Sequence, residues 1–341
     1  MTKKLLTVLG GEAVWPPPVW LMRQAGRYLP EYRALRATAG DFLSLCFNPA
    51  LAAEVTLQPV RRFGTDAAIL FSDILVVPYG LGQGLRFTAG EGPELPPIQD
   101  ETGLAALDLA GFAARVAPVT ETVARVAAGL DGGAALIGFA GSPWTVACYM
   151  VEGSGSRDWA GVRELAYRQP ALFDRLIALV TEATIVYLAA QIEAGAETVM
   201  LFDSWAGVLS PRLFRRYGVE PVVRIVERLN QLHPGVPVIG FPRGASAAVT
   251  EYEELTGVNA VGVDTAGDLA LVRELLPLNV AVQGNLDPVL LLAGGEMMAH
   301  EARAIRDAMH GRPHIFNLGH GILPQTDPAH VAELIRIVRG E

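Results

Sequence analysis

Short, unbroken apolar runs recur along the chain at residues 67–71, 135–139, 198–202, 236–241, 260–263, 280–283 and 314–318. They are continuous rather than alternating, so each reads as a strand buried on both faces, as in a parallel sheet covered by helices. Between these runs the apolar positions recur with helical period at 170–194, 211–232, 267–276 and 296–309, several of these stretches opening on Pro or Asp and stopping at Gly. Strand and helix in alternation predict right-handed βα units on a parallel sheet. Seven such units predict an α/β fold, a single-domain (β/α)8 TIM-type barrel, with the weaker 19–22 segment as its eighth strand. A doubly wound open sheet is the competing arrangement, but its dinucleotide fingerprint is missing: the nearest match, Gly80-Leu81-Gly82-Gln83-Gly84, has the wrong spacing. No linker or low-complexity tract interrupts the chain, so one domain is expected over 1–341, with residues 1–14 poorly ordered.

Composition narrows what such a barrel can do. Hydrophobic residues make up 51% of the chain and charged ones 18%, which requires a large core and excludes a disordered chain. A net charge of −9 argues against an extended nucleic-acid footprint and against a polybasic membrane anchor. Residues 132–151 form 20 positions without a charge, formally enough to span a bilayer, yet they contain Ser142-Pro143, Thr145 and four glycines and lack basic flanks. A buried strand followed by a loop is expected there instead.

The basic residues are almost all arginine, since the only lysines are Lys3 and Lys4 at the terminus, and lysine-based covalent catalysis therefore has no candidate. Cys46 and Cys148 are too few for a disulfide framework or a four-thiolate zinc site and read as reduced core thiols of a cytoplasmic protein. His310 and His314 have metal-ligand spacing, but Gly311 and Pro313 break the helix that would align them. Neither GxSxG nor a Walker A loop occurs.

In a barrel, chemistry sits just beyond the C-terminal ends of the strands. The residues there are Ser72-Asp73, Gly141-Ser142-Pro143, Asp203-Ser204-Trp205, Pro242-Arg243-Gly244, Asp264, Asn285-Leu286-Asp287 and Gly319-His320-Gly321. Capping of the following helix accounts for about half of such Asp, Ser and Asn residues. Asp73 differs in lying within an apolar stretch, where its charge needs N–H donors or a cation. His320, between two glycines, is a loop imidazole that a ligand can approach closely. The strongest anomaly comes earlier: Arg23, Arg27, Arg33 and Arg36 crowd together against a single acid, Glu31, in an acidic chain. Planar guanidinium groups bind carboxylate or phosphate in bidentate fashion, so the segment is a candidate clamp for a polyanion. A solvated basic face is the plainer alternative, although Gly26 and Pro30 oppose a regular surface helix.

Six segments taken together, Met22-Arg23-Gln24-Ala25-Gly26-Arg27-Tyr28-Leu29-Pro30-Glu31-Tyr32-Arg33, Phe71-Ser72-Asp73-Ile74-Leu75, Gly138-Phe139-Ala140-Gly141-Ser142-Pro143-Trp144-Thr145, Tyr149-Met150-Val151-Glu152-Gly153, Phe202-Asp203-Ser204-Trp205-Ala206-Gly207 and Asn317-Leu318-Gly319-His320-Gly321, resemble the uroporphyrinogen decarboxylase family. The resemblance extends over residues 15–338 and its first segment is highly specific. It implies a single-domain, cofactor-free, metal-free barrel that dimerises and removes four acetate carboxyls of uroporphyrinogen III as CO2, giving coproporphyrinogen III on the route to haem. By position, it implies that Arg23 and Arg27 are carboxylate ligands with a part in catalysis and that Asp73 is the central pyrrole-binding carboxylate. Arg36 is a further expected contact, and Tyr149, Ser204 and His320 are expected pocket residues. Trp205 stands where some relatives have His, which removes one imidazole from the pocket wall.

The residue chemistry is consistent with that implication. An octa-carboxylate substrate accounts for clustered arginines on an acidic protein, and a pyrrole protonated on its α-carbon accepts the electron pair left by CO2 without help from a cofactor. Asp73 beneath the macrocycle would accept the pyrrole N–H bonds and stabilise the cation, with Arg23, another pocket group or ordered water as the proton donor. Two other readings fit the same barrel: a zinc-dependent corrinoid-type methyltransferase, and a tetrapyrrole carrier without catalysis.

Overall fold

All seven apolar runs form strands in the computed structural model, which describes residues 3–88, 92–245 and 248–341. Numbered in chain order they are β1 (Ala67–Ile69), β4 (Ala135–Gly141), β5 (Thr198–Asp203), β6 (Val238–Pro242), β7 (Ala260–Gly262), β8 (Ala281–Leu286) and β9 (His314–Leu318). They lie side by side in that order as one parallel sheet of seven strands. The two strands missing from this series, β2 (Arg86–Thr88) and β3 (Gly92–Glu94), pair antiparallel as a separate hairpin. At three residues each, they are too short to carry a periodic signal.

The expected eighth strand at 19–22 is not formed as such. Val19 makes an isolated parallel bridge to Phe316 of β9, and Leu21 onward turns away. That bridge still touches both edges of the sheet. On one side the Phe316 N–H donates to the Pro18 carbonyl at 2.9 Å; on the other the Asp66 N–H, just before β1, donates to the Val19 carbonyl at 2.9 Å. Asp66 returns a bond by accepting the Val19 N–H on Oδ2 at 2.9 Å.

Several expectations need correcting. The start of the chain is not loose: Lys4–Leu9 is a helix with Leu5, Val8 and Leu9 buried, and Lys3 pairs with Glu197. The uncharged 132–151 stretch is strand β4 followed by the helix Pro143–Glu152, not by a loop, because Pro143 occupies the first helical turn, where its missing N–H does no harm. The expected 211–232 helix is broken into Pro211–Leu213, a π-helical Phe214–Val219 and Glu220–Leu232. Pro221 cannot donate to the carbonyl one turn back, which favours a widened turn there. The helix Pro170–Glu193 is long and apolar enough to cross a membrane, but most of that stretch is buried inside the fold. It packs on β4 and β5 and on the helices Phe112–Gly129, Pro143–Glu152 and Glu220–Leu232.

Within the sheet's curve the core is not wholly apolar. Trp20 donates its indole N–H to Gln283 Oε1 of β8 at 3.0 Å, and the Gln283 amide reaches Met200 Sδ of β5 at 3.8 Å. Both Trp20 and Gln283 are fully buried. Gln283→Leu keeps the volume but strands the indole N–H, so a loss of about 1–3 kcal/mol is expected, read as a lower urea midpoint. An unchanged midpoint would show that this bond adds nothing.

β5 ends in Asp203, also fully buried. Its Oδ1 accepts the Thr145 hydroxyl at 2.5 Å, the Thr145 oxygen accepts the Trp205 N–H at 3.1 Å, and Oδ2 has no hydrogen-bond partner among the described residues. Burial pushes the Asp203 carboxyl up to about 7, against the opposing pull of the Thr145 hydroxyl. The folded state therefore keeps a proton that the unfolded chain has already released. The resulting stabilisation is complete below about pH 4 and is lost as pH rises through the folded value. Asp203→Asn retains the acceptor for Thr145 and abolishes the titration. Its melting temperature relative to wild type is expected to rise between pH 5 and pH 8, whereas a constant offset would mean that Asp203 does not ionise in that window.

Candidate functional site

The arginine-rich segment is a turn followed by a helix. Gln24 folds back to accept the Leu21 N–H at 3.1 Å and donates its amide to the Ala67 carbonyl of β1 at 2.9 Å. Met22 fastens the turn to the end of β9: its N–H goes to Asn317 Oδ1 at 2.9 Å, and its carbonyl takes the Ile322 N–H at 2.9 Å. Between these anchors Arg23 is held at a φ of 60°, a left-handed conformation costly to a side chain with a Cβ. Its stem lies over Gly321, where an added Cβ would come within 2.3 Å of Arg23 Cδ. That contact explains the glycine after His320.

Pro30 opens the helix Pro30–Ala39, so the basic segment is more helical than its Gly and Pro suggest. Arg33 is used structurally, donating to the carbonyls of Arg27 and Tyr28 at 2.8 and 3.0 Å. Arg36 sits in the last turn and donates to the Gly40 carbonyl at 2.7 Å. Arg27 is exposed. The charges of Arg36 and Arg27 both reach the buried Tyr32 phenol, where they oppose the upward push of burial on its pKa. Arg36 also acts, together with Asp73, on the buried Cys46 thiol, so its neighbourhood adjoins both Arg27 and Asp73.

Asp73 follows β1 and is not a helix cap. Its Oδ1 accepts the Leu75 N–H at 2.8 Å, while the next helix, Val76–Gly80, begins without a side-chain cap. Burial raises its pKa from the ordinary carboxylate value; the Leu75 N–H and the Arg23 guanidinium pull it back. Arg23 and Asp73 feel one another but form no ion pair among the described residues. The carboxylate follows β1, and the guanidinium stands on the turn that Met22 fastens to the end of β9.

Tyr149 and His320 both lie within reach of the Arg23 charge. Tyr149, on the helix after β4, accepts the Trp205 indole N–H at 3.4 Å and packs edge-on against Trp159 at 4.9 Å. Burial raises its phenol, and the charges of Asp73 and Arg23 reach it with opposite signs. His320 is half-buried beyond β9. Burial, then the guanidinium groups of Arg23 and Arg243, draw its imidazole down to about 4, with Asp264 pulling the other way. The ring is therefore neutral at pH 7, with one N–H donor and one acceptor nitrogen. Ser204 is placed by β5, directly after Asp203, and is half-buried.

Arg23 thus links Asp73, Tyr149 and His320, and Ser204 stands at the adjoining strand end. Sequence reading noted Arg243 only as a strand-end residue; a lone arginine after a strand gives no pattern, and only the curl of the sheet brings it to His320. The two thiols do not suit a metal. Both are buried, and burial pushes each well above its ordinary value, disfavouring the thiolate that zinc needs. Among the described residues, no three His, Cys, Asp or Glu side chains come together in a group that could hold a metal ion. The described residues thus offer no ligand set of the kind a zinc-dependent corrinoid-type methyltransferase needs.

Comparison with known proteins adds an independent line. The sequence matches the family model for uroporphyrinogen decarboxylase (URO-D) over residues 1–340. Curated relatives include uroporphyrinogen decarboxylase of Gluconacetobacter diazotrophicus, 58% identical over 99% of this chain and 98% of the relative. That of Acidiphilium cryptum is 59% identical over 99% and 94% respectively. Among solved structures, a methyltransferase from Methanosarcina mazei superposes with a TM-score of 0.82 at 21% identity, covering 99% of this chain and 97% of the other. A B12-independent methionine synthase from Shewanella reaches 0.56 at 8% identity, with 87% of each chain covered. At such identities these structures share the fold alone, whereas the sequence matches run end to end at more than half identity: the chain belongs to the uroporphyrinogen decarboxylase family.

Proposed function

We propose that the chain is a carboxy-lyase that converts uroporphyrinogen III to coproporphyrinogen III and four CO2, with no cofactor, in the cytoplasm and as a homodimer. We also read the seven strands as a (β/α)8-type barrel, closed by the Val19 segment hydrogen-bonded to both edges. The observation that carries the reading is Asp73: a half-buried carboxylate, held by one backbone N–H and set apart from a guanidinium that has no carboxylate partner among the described residues.

In this reading the macrocycle lies across the strand ends with its pyrrole N–H groups on Asp73. Arg23, Arg27 and Arg36 take peripheral carboxylates, and Tyr149, Ser204 and neutral His320 supply hydrogen bonds along the wall. For each acetate, a proton adds to the pyrrole α-carbon and makes the ring cationic. The C–C bond to the carboxylate then breaks, CO2 leaves, and the bonding pair flows into the ring. A proton added at the exocyclic carbon gives the methyl group, and the α-carbon gives its proton back. One proton is consumed per CO2 released.

Asp73 stabilises the cationic ring because it is charged, close and shielded from water. Burial raises its pKa and so works against its charge, whereas a ring cation and pyrrole N–H donors favour the anion. The charge it needs is therefore best developed when the ring is cationic.

Anaerobic incubation of the metal-stripped protein with uroporphyrinogen III, followed by chromatography of the oxidised porphyrins, tests the reading. Hepta- through tetra-carboxyl products are expected; tight binding without them would make the protein a carrier. Asp73→Asn keeps the shape and loses the charge, so kcat/KM is expected to fall about 10²-fold or more with the fold intact. Unchanged turnover would remove Asp73 from the mechanism. Arg27→Ala is expected to weaken substrate binding by about 2 kcal/mol or more, the scale of a lost charge-pair partner, and an unaltered affinity would exclude it as a ligand.

A further inference from the structure

β6 ends at Pro242, which is in register with Asp203 of β5, so Arg243 lies beside Ser204. Its backbone is fixed on both sides. The Arg243 N–H donates to the carbonyls of Asp203 at 3.1 Å and Phe241 at 3.0 Å, and its own carbonyl accepts the Gly207 N–H at 3.0 Å. Gly207 and Gly244 pack so closely that a Cβ on Gly207 would approach Gly244 Cα to 2.9 Å. The next N–H, that of Gly244, is bound by Asp264. A long side chain is thus mounted on a rigid base at the mouth of the site.

The side chain itself is half-buried and makes no ion pair or hydrogen bond among the described residues. Asp264, the acid of the neighbouring strand end, directs its oxygens to the N–H groups of Gly244 and Ala266 instead. Several other arginines are matched to carboxylates, as in Arg61 with Glu54, Arg125 with Glu121 and Arg224 with Glu182. In an acidic chain, a partly desolvated guanidinium without a counter-ion beside Ser204 and His320 is placed to receive an anion. Arg23, which is exposed, is the other cation whose charge reaches that ring.

We infer that Arg243 is a further substrate ligand, holding a peripheral carboxylate of the macrocycle at the β5–β6 wall of the site. This rests on the decarboxylase reading above. Its role is binding and orientation, with no proton transfer.

The test uses wild-type protein, Arg243→Gln and Arg243→Lys in the anaerobic assay, each alone and combined with His320→Asn. Arg243→Gln is expected to raise KM about tenfold, the scale of one charge-assisted hydrogen bond, while kcat stays within about threefold. Arg243→Lys is expected to recover part of the loss, since a point charge replaces the planar fork. The Gln effect is expected to persist in the His320→Asn background, because direct binding does not act through the imidazole. A KM within about twofold of wild type, or an effect that vanishes with His320, overturns the inference. If Arg243→Gln does not fold, the Lys variant decides on the same KM criterion. A wild-type protein that forms no partially decarboxylated porphyrins overturns the decarboxylase reading itself.

Discussion

Everything at the site depends on keeping opposite charges apart. Asp73 and Arg23 are near enough to influence each other's environment, yet they do not pair. A direct ion pair would neutralise the carboxylate and occupy the space beneath a ligand. Separation requires that each be held by something else: Asp73 by the Leu75 N–H, and Arg23 by a turn bonded to Ala67 and Asn317. The left-handed backbone at Arg23 costs on the order of 1–3 kcal/mol. The anchors that overcome it come from the first and last strands of the sheet, so the geometry at the mouth depends on how those two edges meet.

A second set of contacts keeps the opposite wall in order. Asp203, Thr145 and Trp205 form a hydrogen-bonded relay below the pocket, and Trp205 extends it to the Tyr149 hydroxyl. The chain begins at a buried carboxyl that burial keeps largely protonated below about 7. Such a group fixes the strand end without placing a second full negative charge near Asp73. Trp205 has a part here that a smaller imidazole would fill differently, since it also packs against Trp159 at 4.9 Å.

How much of this could be read from the chain depended on how local the signal was. Parallel strands buried on both faces declare themselves as apolar runs, and all seven were legible. Val19 was harder because a single bridge, fixed by partners some 47 and 297 residues away, leaves no run behind. The paired strands Arg86–Thr88 and Gly92–Glu94 were each too short to show a period. Ser142-Pro143 suggested a turn because the same dipeptide also serves to start a helix, and only packing distinguishes the two. Among site residues, Asp73 was visible as a charge in an apolar stretch, and Arg23 and Arg27 as part of a cluster. His320 was visible as an imidazole between two glycines at a strand end, whereas Tyr149, and Ser204 among several polar strand-end residues, were assigned to the pocket through the family resemblance.

A shared fold and a shared chemistry separate cleanly in this chain. The methyltransferase from Methanosarcina mazei superposes over nearly the whole chain at 21% identity, so the scaffold alone is compatible with more than one reaction. What differs must lie in the side chains at the strand ends. Here both thiols are buried, and burial opposes their ionisation. The mouth instead holds guanidinium groups unpaired among the described residues, a half-buried carboxylate and an imidazole kept neutral by burial and by its cationic neighbours. Such a set can grip several carboxylates and stabilise one developing cation, and it contains no lysine to form a Schiff base. On the proposed reading those are the demands of a decarboxylation in which the substrate's own ring accepts the electrons, the reactive electron sink being brought in by the substrate.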